Sequence, residues 1–185
     1  MKLALNDGLQ SDMRRVHYDG APGVLTSALV WLSSSVVCYW VGTLQGVWAL
    51  LIGGALIYPI SSLLTRFWVK PEAAPLPNPL NQLAAASTVW LIACCLMAYG
   101  LFHLRPELFF PAMMLTIGCR YAVFATVFGL TIYWILGLAL LVASFLSLFL
   151  WLPPALSAMA GGLLELIFAP LIFRGAKKFC SMSSA

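Results

Sequence analysis

Charge is what this chain has least of: Asp, Glu, Lys and Arg together make up 9% of its 185 residues. A soluble globular domain carries roughly a quarter. Hydrophobic residues reach 62% and mean hydropathy is +0.96. So few charges cannot clothe a water-facing surface, which excludes a soluble globular protein. The acidic side is the scarcer one, six residues against ten basic, for a formal charge of +4. In so apolar a chain that excess reads as a topology signal, and no nucleic-acid partner is expected. An apolar leader is also missing. The first twenty residues, MKLALNDGLQSDMRRVHYDG, hold three aspartates and no hydrophobic core, so no cleavable signal peptide is expected.

Catalytic and metal-binding patterns are missing as well. There is no HExxH helix, no GxSxG elbow and no CxxC pair. Cys38, Cys94, Cys95 and Cys119 fall inside apolar runs and read as small packing residues, with Cys180 beyond them. His17 and His103 fall at opposite ends of spans and cannot share a metal or haem. No catalytic residue, metal site or cofactor is expected, and the chain does not read as an enzyme.

What the sequence does contain is long apolar runs. Six spans can be drawn at 24–42, 44–65, 83–102, 108–128, 131–151 and 154–174, each close to the roughly 20 residues that a bilayer core requires. Pro153 and Pro154 separate the last two, and the single Gly129 must carry the turn between the fourth and fifth. The expected fold is all-α: a polytopic helical membrane protein with six transmembrane helices, readable as three helical hairpins. Residues 1–23 form a cytoplasmic N-terminal segment, 24–174 the transmembrane domain and 175–185 a cytoplasmic tail. In the first segment Leu9, Met13 and Val16 share one face, which predicts a short helix lying on the membrane surface. The loop KPEAAPLPNPLNQ, with four prolines, predicts an extended connector.

Six spans put both termini and the 66–82 loop on one side. That side holds Lys2, Arg14, Arg15, Arg66, Lys70, Arg174, Lys177 and Lys178, and the other only Arg105. The asymmetry predicts cytoplasmic termini in a bacterial inner membrane. A faint repeat links GGALIYPISSLLTR (53–66) and GGLLELIFAPLIFR (161–174): both open on two glycines and end on arginine. Internal duplication of this kind is common among transporters.

Two charges remain inside the spans. Arg120 lies about 18 Å from the outer end of the fourth span, and Glu165 about 16 Å from that of the sixth, at 1.5 Å per residue. Ions at this depth are costly, so an Arg120–Glu165 contact is expected. Gly161, Gly162, Ala158, Ser157 and Ala169 share the face of Glu165, a small-residue face suited to close helix packing. Gly53 and Gly54 are the matching packing pair in the second span. Thr116 and Tyr121 beside Arg120, with Ser34 and Tyr58 on the first two spans, complete a candidate mid-membrane site for a substrate or ion. The fifth span, broken only by Gly137, Ser144 and Ser147, is expected to be peripheral.

The stretches GGALIYP (53–59), NPL (78–80) and PAMMLTIGCRYAVFATVFG (111–129) resemble a family of small bacterial integral membrane proteins of unknown function. That family shows a GG-x-LI-[FY]-P segment in its second span. A short N-P-L follows, then a T-G-x-[HR]-[YF]-like stretch, here Thr116, Gly118, Arg120 and Tyr121. Arg14 and Arg15 before the first span also fit. The resemblance covers most of residues 14 to 129 and implies a fold without a chemistry. Its members often carry His where Arg120 stands, which speaks against a strict Arg–Glu pair.

Two functions follow from these expectations. One is a small transporter or channel with a mid-membrane polar site. The other is a membrane scaffold or lipid-interacting protein in which the ion pair only holds helices together. Membrane lipids and a homo-oligomer are the expected partners, beside an unidentified small molecule or ion. The topology is testable by fusions in a bacterial host. Green fluorescent protein at the C-terminus is expected to fluoresce and alkaline phosphatase there to stay inactive; the opposite pair of results would reverse the orientation.

Overall fold

The computed structural model describes residues 2–68 and 78–183, which are helical apart from short turns. A first helix, α1 (Lys2–His17), leads through a tight turn into α2 (Ala21–Trp40). There follow α3 (Thr43–Trp68), α4 (Pro79–Leu104), α5 (Phe109–Phe128), α6 (Thr131–Phe149) and α7 (Pro154–Ser183). Six of these helices are long and apolar enough to cross a membrane. The chain is an all-α, multi-pass membrane protein. The proline-rich connector lies, over residues 69–77, outside the described residues.

The breaks follow local chemistry. Gly129 ends α5 in the left-handed region (φ 66°), which a glycine enters without steric cost. Pro154 opens α7, where a missing N–H is harmless. Asn78 caps α4, its side-chain oxygen accepting from the Leu80 N–H at 2.9 Å. Residues 175–183 continue α7, which runs unbroken to Ser183.

Cross-helix pairs set the directions. Ser34 Oγ donates to the Gly46 carbonyl at 2.6 Å, and Ser35 Oγ to that of Ala155 at 2.8 Å. Ser144 Oγ donates to the Pro111 carbonyl at 2.7 Å. These pairs make α2/α3, α2/α7 and α5/α6 antiparallel, while α5 and α7 run the same way. Each helix packs on its neighbours in the spatial order α3, α2, α7, α6, α5, α4. Both termini lie at one end, the terminal end; the α2–α3, α4–α5 and α6–α7 turns lie at the far end.

Small residues decide which helices meet closely. A Cβ on Gly53 would fall 2.6 Å from Val30 Cγ1, and one on Gly162 2.9 Å from the Leu32 side chain. A Cβ on Gly161 would lie 3.2 Å from the Trp31 ring and 3.3 Å from the Met114 side chain. The two GG stretches of the faint repeat therefore grip α2 from opposite sides at neighbouring residues. Gly54 differs from the expected pattern: a Cβ added there would meet nothing within 4 Å beyond its own helix.

The expectation that the fifth span is peripheral is also corrected. Gly118 of α5 and Gly137 of α6 meet backbone to backbone, and a Cβ on Gly118 would lie 2.9 Å from the Gly137 carbonyl oxygen. Tyr133, Leu136, Gly137, Leu140, Ser144 and Ser147 are buried at a spacing of three and four, a complete helical face. The helices with least burial are α3 and α4; on α4 only Ser87 and Ala98 are buried. Adding a methyl at Gly118 should cost about 1–3 kcal/mol, because backbone at 2.9 Å cannot give way. Thermal unfolding in detergent should show a lowered midpoint for Gly118→Ala and none for Gly54→Ala, where space is open.

Candidate functional site

Glu165 is the centre of the bundle's polar interior. It sits on α7 one turn past Gly161 and Gly162, and the close approach that these glycines allow encloses it completely, at 0% exposure. Tyr121, 3% exposed on α5, donates its hydroxyl to Glu165 Oε1 at 2.8 Å. Ser27 on α2 stands beside both groups. The second carboxyl oxygen, Oε2, closes no hydrogen bond with the protein. A buried carboxylate normally has both oxygens satisfied, and an ionised one left half-paired costs several kcal/mol.

Arg120 is not that partner. It lies next to Tyr121, but successive residues on a helix point about 100° apart. Tyr121 therefore faces α7 while Arg120 faces α4, where its Nη2 donates to Thr88 Oγ1 at 2.9 Å. Its guanidinium carbon lies 5.2 Å from the Phe124 ring centroid. The expected Arg120–Glu165 contact is absent; an ion pair does form between Arg14 and Asp19. Arg120 and Glu165 face different helices.

The remaining candidates disperse. Thr116 is buried but donates to its own helix, at the Ala112 carbonyl, 2.9 Å. Ser34 is consumed in the α2–α3 tie described above. Tyr58 is 76% exposed on the outer surface of α3 and takes no part in the interior. Of the proposed site only Tyr121 and Glu165 are brought into contact.

The two directions out of Glu165 differ in chemistry. Toward the far end, three buried polar atoms lack hydrogen bonds: Trp31 Nε1, Ser157 Oγ and Ser147 Oγ. Trp31 stands one turn from Ser27 and packs on Gly161, so it lies directly over the carboxyl. Toward the terminal end, rings close the way. Tyr121 stacks on Tyr133 at 5.7 Å and Tyr133 on Phe128 at 5.6 Å, with His17 edge-on to Phe128 at 6.4 Å.

A second polar cluster, unforeseen from the sequence, fastens that closed end. Asp19 is 1% exposed and accepts from Arg14 Nε at 2.7 Å and Nη2 at 3.1 Å, a two-point clamp. The Tyr133 hydroxyl donates to the Asp19 backbone carbonyl. Tyr18, Asp19 and Gly20 all take positive φ (52°, 53° and 77°), so the turn between α1 and α2 is left-handed throughout. α1 is thereby tied to the bundle: Gln10 Nε2 donates to the Thr126 carbonyl, and Asn78 Nδ2 to that of Leu9, both at 2.8 Å. The Asp-Gly dipeptide was the visible signal, since it favours turns with positive φ.

At the far end an open groove of about 470 Å³ is lined by Leu104, Arg105, Pro106, Glu107 and Trp151, with Arg105 5.3 Å from the Trp151 ring. Cys38, Cys94, Cys95 and Cys119 are free thiols.

The model of a family of unknown function, DUF7010, matches residues 6–175. No curated protein and no solved structure matches the chain.

Contact geometry sorts the polar residues into coupled and independent pairs. In a double-mutant cycle read by thermal unfolding, Tyr121→Phe and Glu165→Gln should couple by about 0.5–3 kcal/mol, being hydrogen-bonded. Arg120→Gln and Glu165→Gln should add within about 0.5 kcal/mol. The reverse pattern would restore the ion pair.

Proposed function

We propose that this chain, which belongs to a family of unknown function (DUF7010), is a small membrane transporter in which Glu165 binds and releases a proton or small cation. One observation carries the reading: a fully enclosed mid-membrane carboxyl keeps one oxygen unpaired, while the nearest cation on its own level turns away to Thr88. An ionisable residue at this depth marks an ion or proton path by default. Glue between helices would be expected to use the available Arg, and this site does not.

The chemistry assigned to each residue follows from its position. Tyr121 holds Oε1 through its hydroxyl, which fixes the carboxyl plane and leaves Oε2 to take the proton or ion. Ser27 supplies a further oxygen at the same level. The unpaired Trp31, Ser157 and Ser147 atoms make the far side the entry, since water bridges such groups when two or more converge. The Tyr121–Tyr133–Phe128 stack is then the barrier on the terminal side, held by the Asp19 clamp. In this reading the chain lies in a bacterial inner membrane with its terminal end in the cytoplasm, and exchange across the ring stack is the step that opens.

The scaffold reading keeps one specific support, the glycine seam between α2 and α7, which is close enough to be permanent. Flux separates the two. Purified protein is placed in vesicles loaded with a pH-sensitive dye, and a potassium diffusion potential is set with valinomycin. Wild-type protein should move protons faster than protein-free vesicles, and Glu165→Gln should return the rate to that background while eluting as a folded species on size exclusion. Wild-type flux equal to background, or flux unchanged in Glu165→Gln, contradicts the assignment.

A further inference from the structure

The cation left over at mid-depth has a site of its own, away from Glu165. Arg120 is half-buried between α5 and α4, about 12 Å from the terminal end of α5 by the helical rise. Thr88 Oγ1 spends its proton on the Ala84 carbonyl at 3.1 Å, so it meets Arg120 as an acceptor and holds one edge of the guanidinium. Phe124 covers its face. Nε is buried and makes no hydrogen bond with the protein. A guanidinium offers five donors in a planar fork that matches a carboxylate or phosphate, so this one is oriented and incompletely used.

No carboxylate of the described chain can complete it. Asp19 is held by Arg14 at the terminal end, Glu107 stands in the α4–α5 turn at the far end, and Glu165 is enclosed with Tyr121. Asp12 is on α1, outside the spans. Asp7 also stands on α1, and Glu72 lies outside the described residues. The open edge of the guanidinium is free to meet an anion from outside the chain.

The surroundings say what kind. α4 is the thinnest wall of the bundle, and past Thr88 it exposes Val89, Trp90, Ile92, Leu96 and Met97, an apolar surface suited to acyl chains. A water-borne anion would have to cross that hydrocarbon, whereas an amphiphile brings its anion along the helix surface with its tails already solvated. A phosphodiester suits the donor set, since two oxygens can meet one guanidinium edge while the third side stays on Thr88. We propose that the α4–α5 contact at Arg120 is a binding site for the phosphate of an anionic phospholipid, with Arg120 as the recognition residue and Thr88 as the residue that orients it. This site does not depend on the transport assignment to Glu165.

Native mass spectrometry of the full chain in neutral detergent tests it, titrating phosphatidylglycerol, phosphatidylcholine or inorganic phosphate. Arginines and lysines at the terminal end also attract anionic lipid, so the informative quantity is the difference between variants. Wild-type protein should retain one phosphatidylglycerol at least tenfold more tightly than phosphatidylcholine. Arg120→Gln should lose that preference for the first bound lipid. Thr88→Val, which keeps the charge and a β-branched side chain, should weaken it severalfold and guards against a folding defect at Arg120. Equal affinity in wild type and both variants overturns the site, as does protection of Arg120 by inorganic phosphate as well as by phosphatidylglycerol, which would make it a site for a free anion.

Discussion

The hydrogen bond from Tyr121 to Glu165 joins α5 to α7 in a part of the molecule where water cannot stand in for a lost partner. Everything else about the interior is arranged around that contact. Gly161 and Gly162 bring α7 against Trp31 and Leu32, which shuts the carboxyl off from lipid. Gly118 and Gly137 let α6 approach α5 closely enough for Tyr133 to stack beneath Tyr121. Tyr133 in turn reaches the Asp19 carbonyl and so couples the carboxyl's surroundings to the turn that starts α2. A chain of direct contacts therefore runs from the centre of the bundle to its terminal end.

That chain gives the molecule a polarity which composition alone would not suggest. On one side of Glu165 three buried polar atoms, on Trp31, Ser147 and Ser157, are unpaired; on the other, stacked rings and a clamped, left-handed turn fill the space. A packed aromatic column and a fixed turn resist small displacements, so any opening there is a change between two arrangements. The positive-φ residues Tyr18 and Asp19 mark where such a change would store or release strain, and Arg14 is the residue that holds them. The lipid-facing side carries a different chemistry. There Arg120 is set against α4 and separated from Glu165 by the width of α5 itself.

Much of this was legible in the sequence because depth is a one-dimensional quantity. Apolar run lengths gave six spans, Gly129 and Pro154 marked breaks, and residue counting put Arg120 and Glu165 at one level. Azimuth is the harder quantity. One residue's difference on α5 separates Tyr121, which meets Glu165, from Arg120, which does not. Charge attraction suggested the wrong neighbour because the choice is made by which face of α5 the Gly118–Gly137 contact turns inward. Tyr58 followed the same error: its motif marks α3, but its side chain faces outward. The mistaken view of α6 was avoidable. Gly137 and Ser144, seven residues apart, are not interruptions of an apolar run but the small positions of a packing face. The turn at Asp19 was marked by its Asp-Gly dipeptide and Arg14 is only five residues away, but the tie to Tyr133, 114 residues on, is a proximity that only the folded chain creates.

The central claim is that Glu165 exchanges protons although it is wholly enclosed. Dicyclohexylcarbodiimide, an apolar reagent that attacks protonated carboxyls, reads this directly when the labelled chain is digested and mapped by mass spectrometry. The account predicts an adduct on the peptide containing Glu165, formed faster as pH is lowered and absent from Glu165→Gln. No adduct at Glu165 at any pH, under conditions where the partly exposed Glu107 is modified, would contradict it and leave the Tyr121–Glu165 contact as a permanent seal.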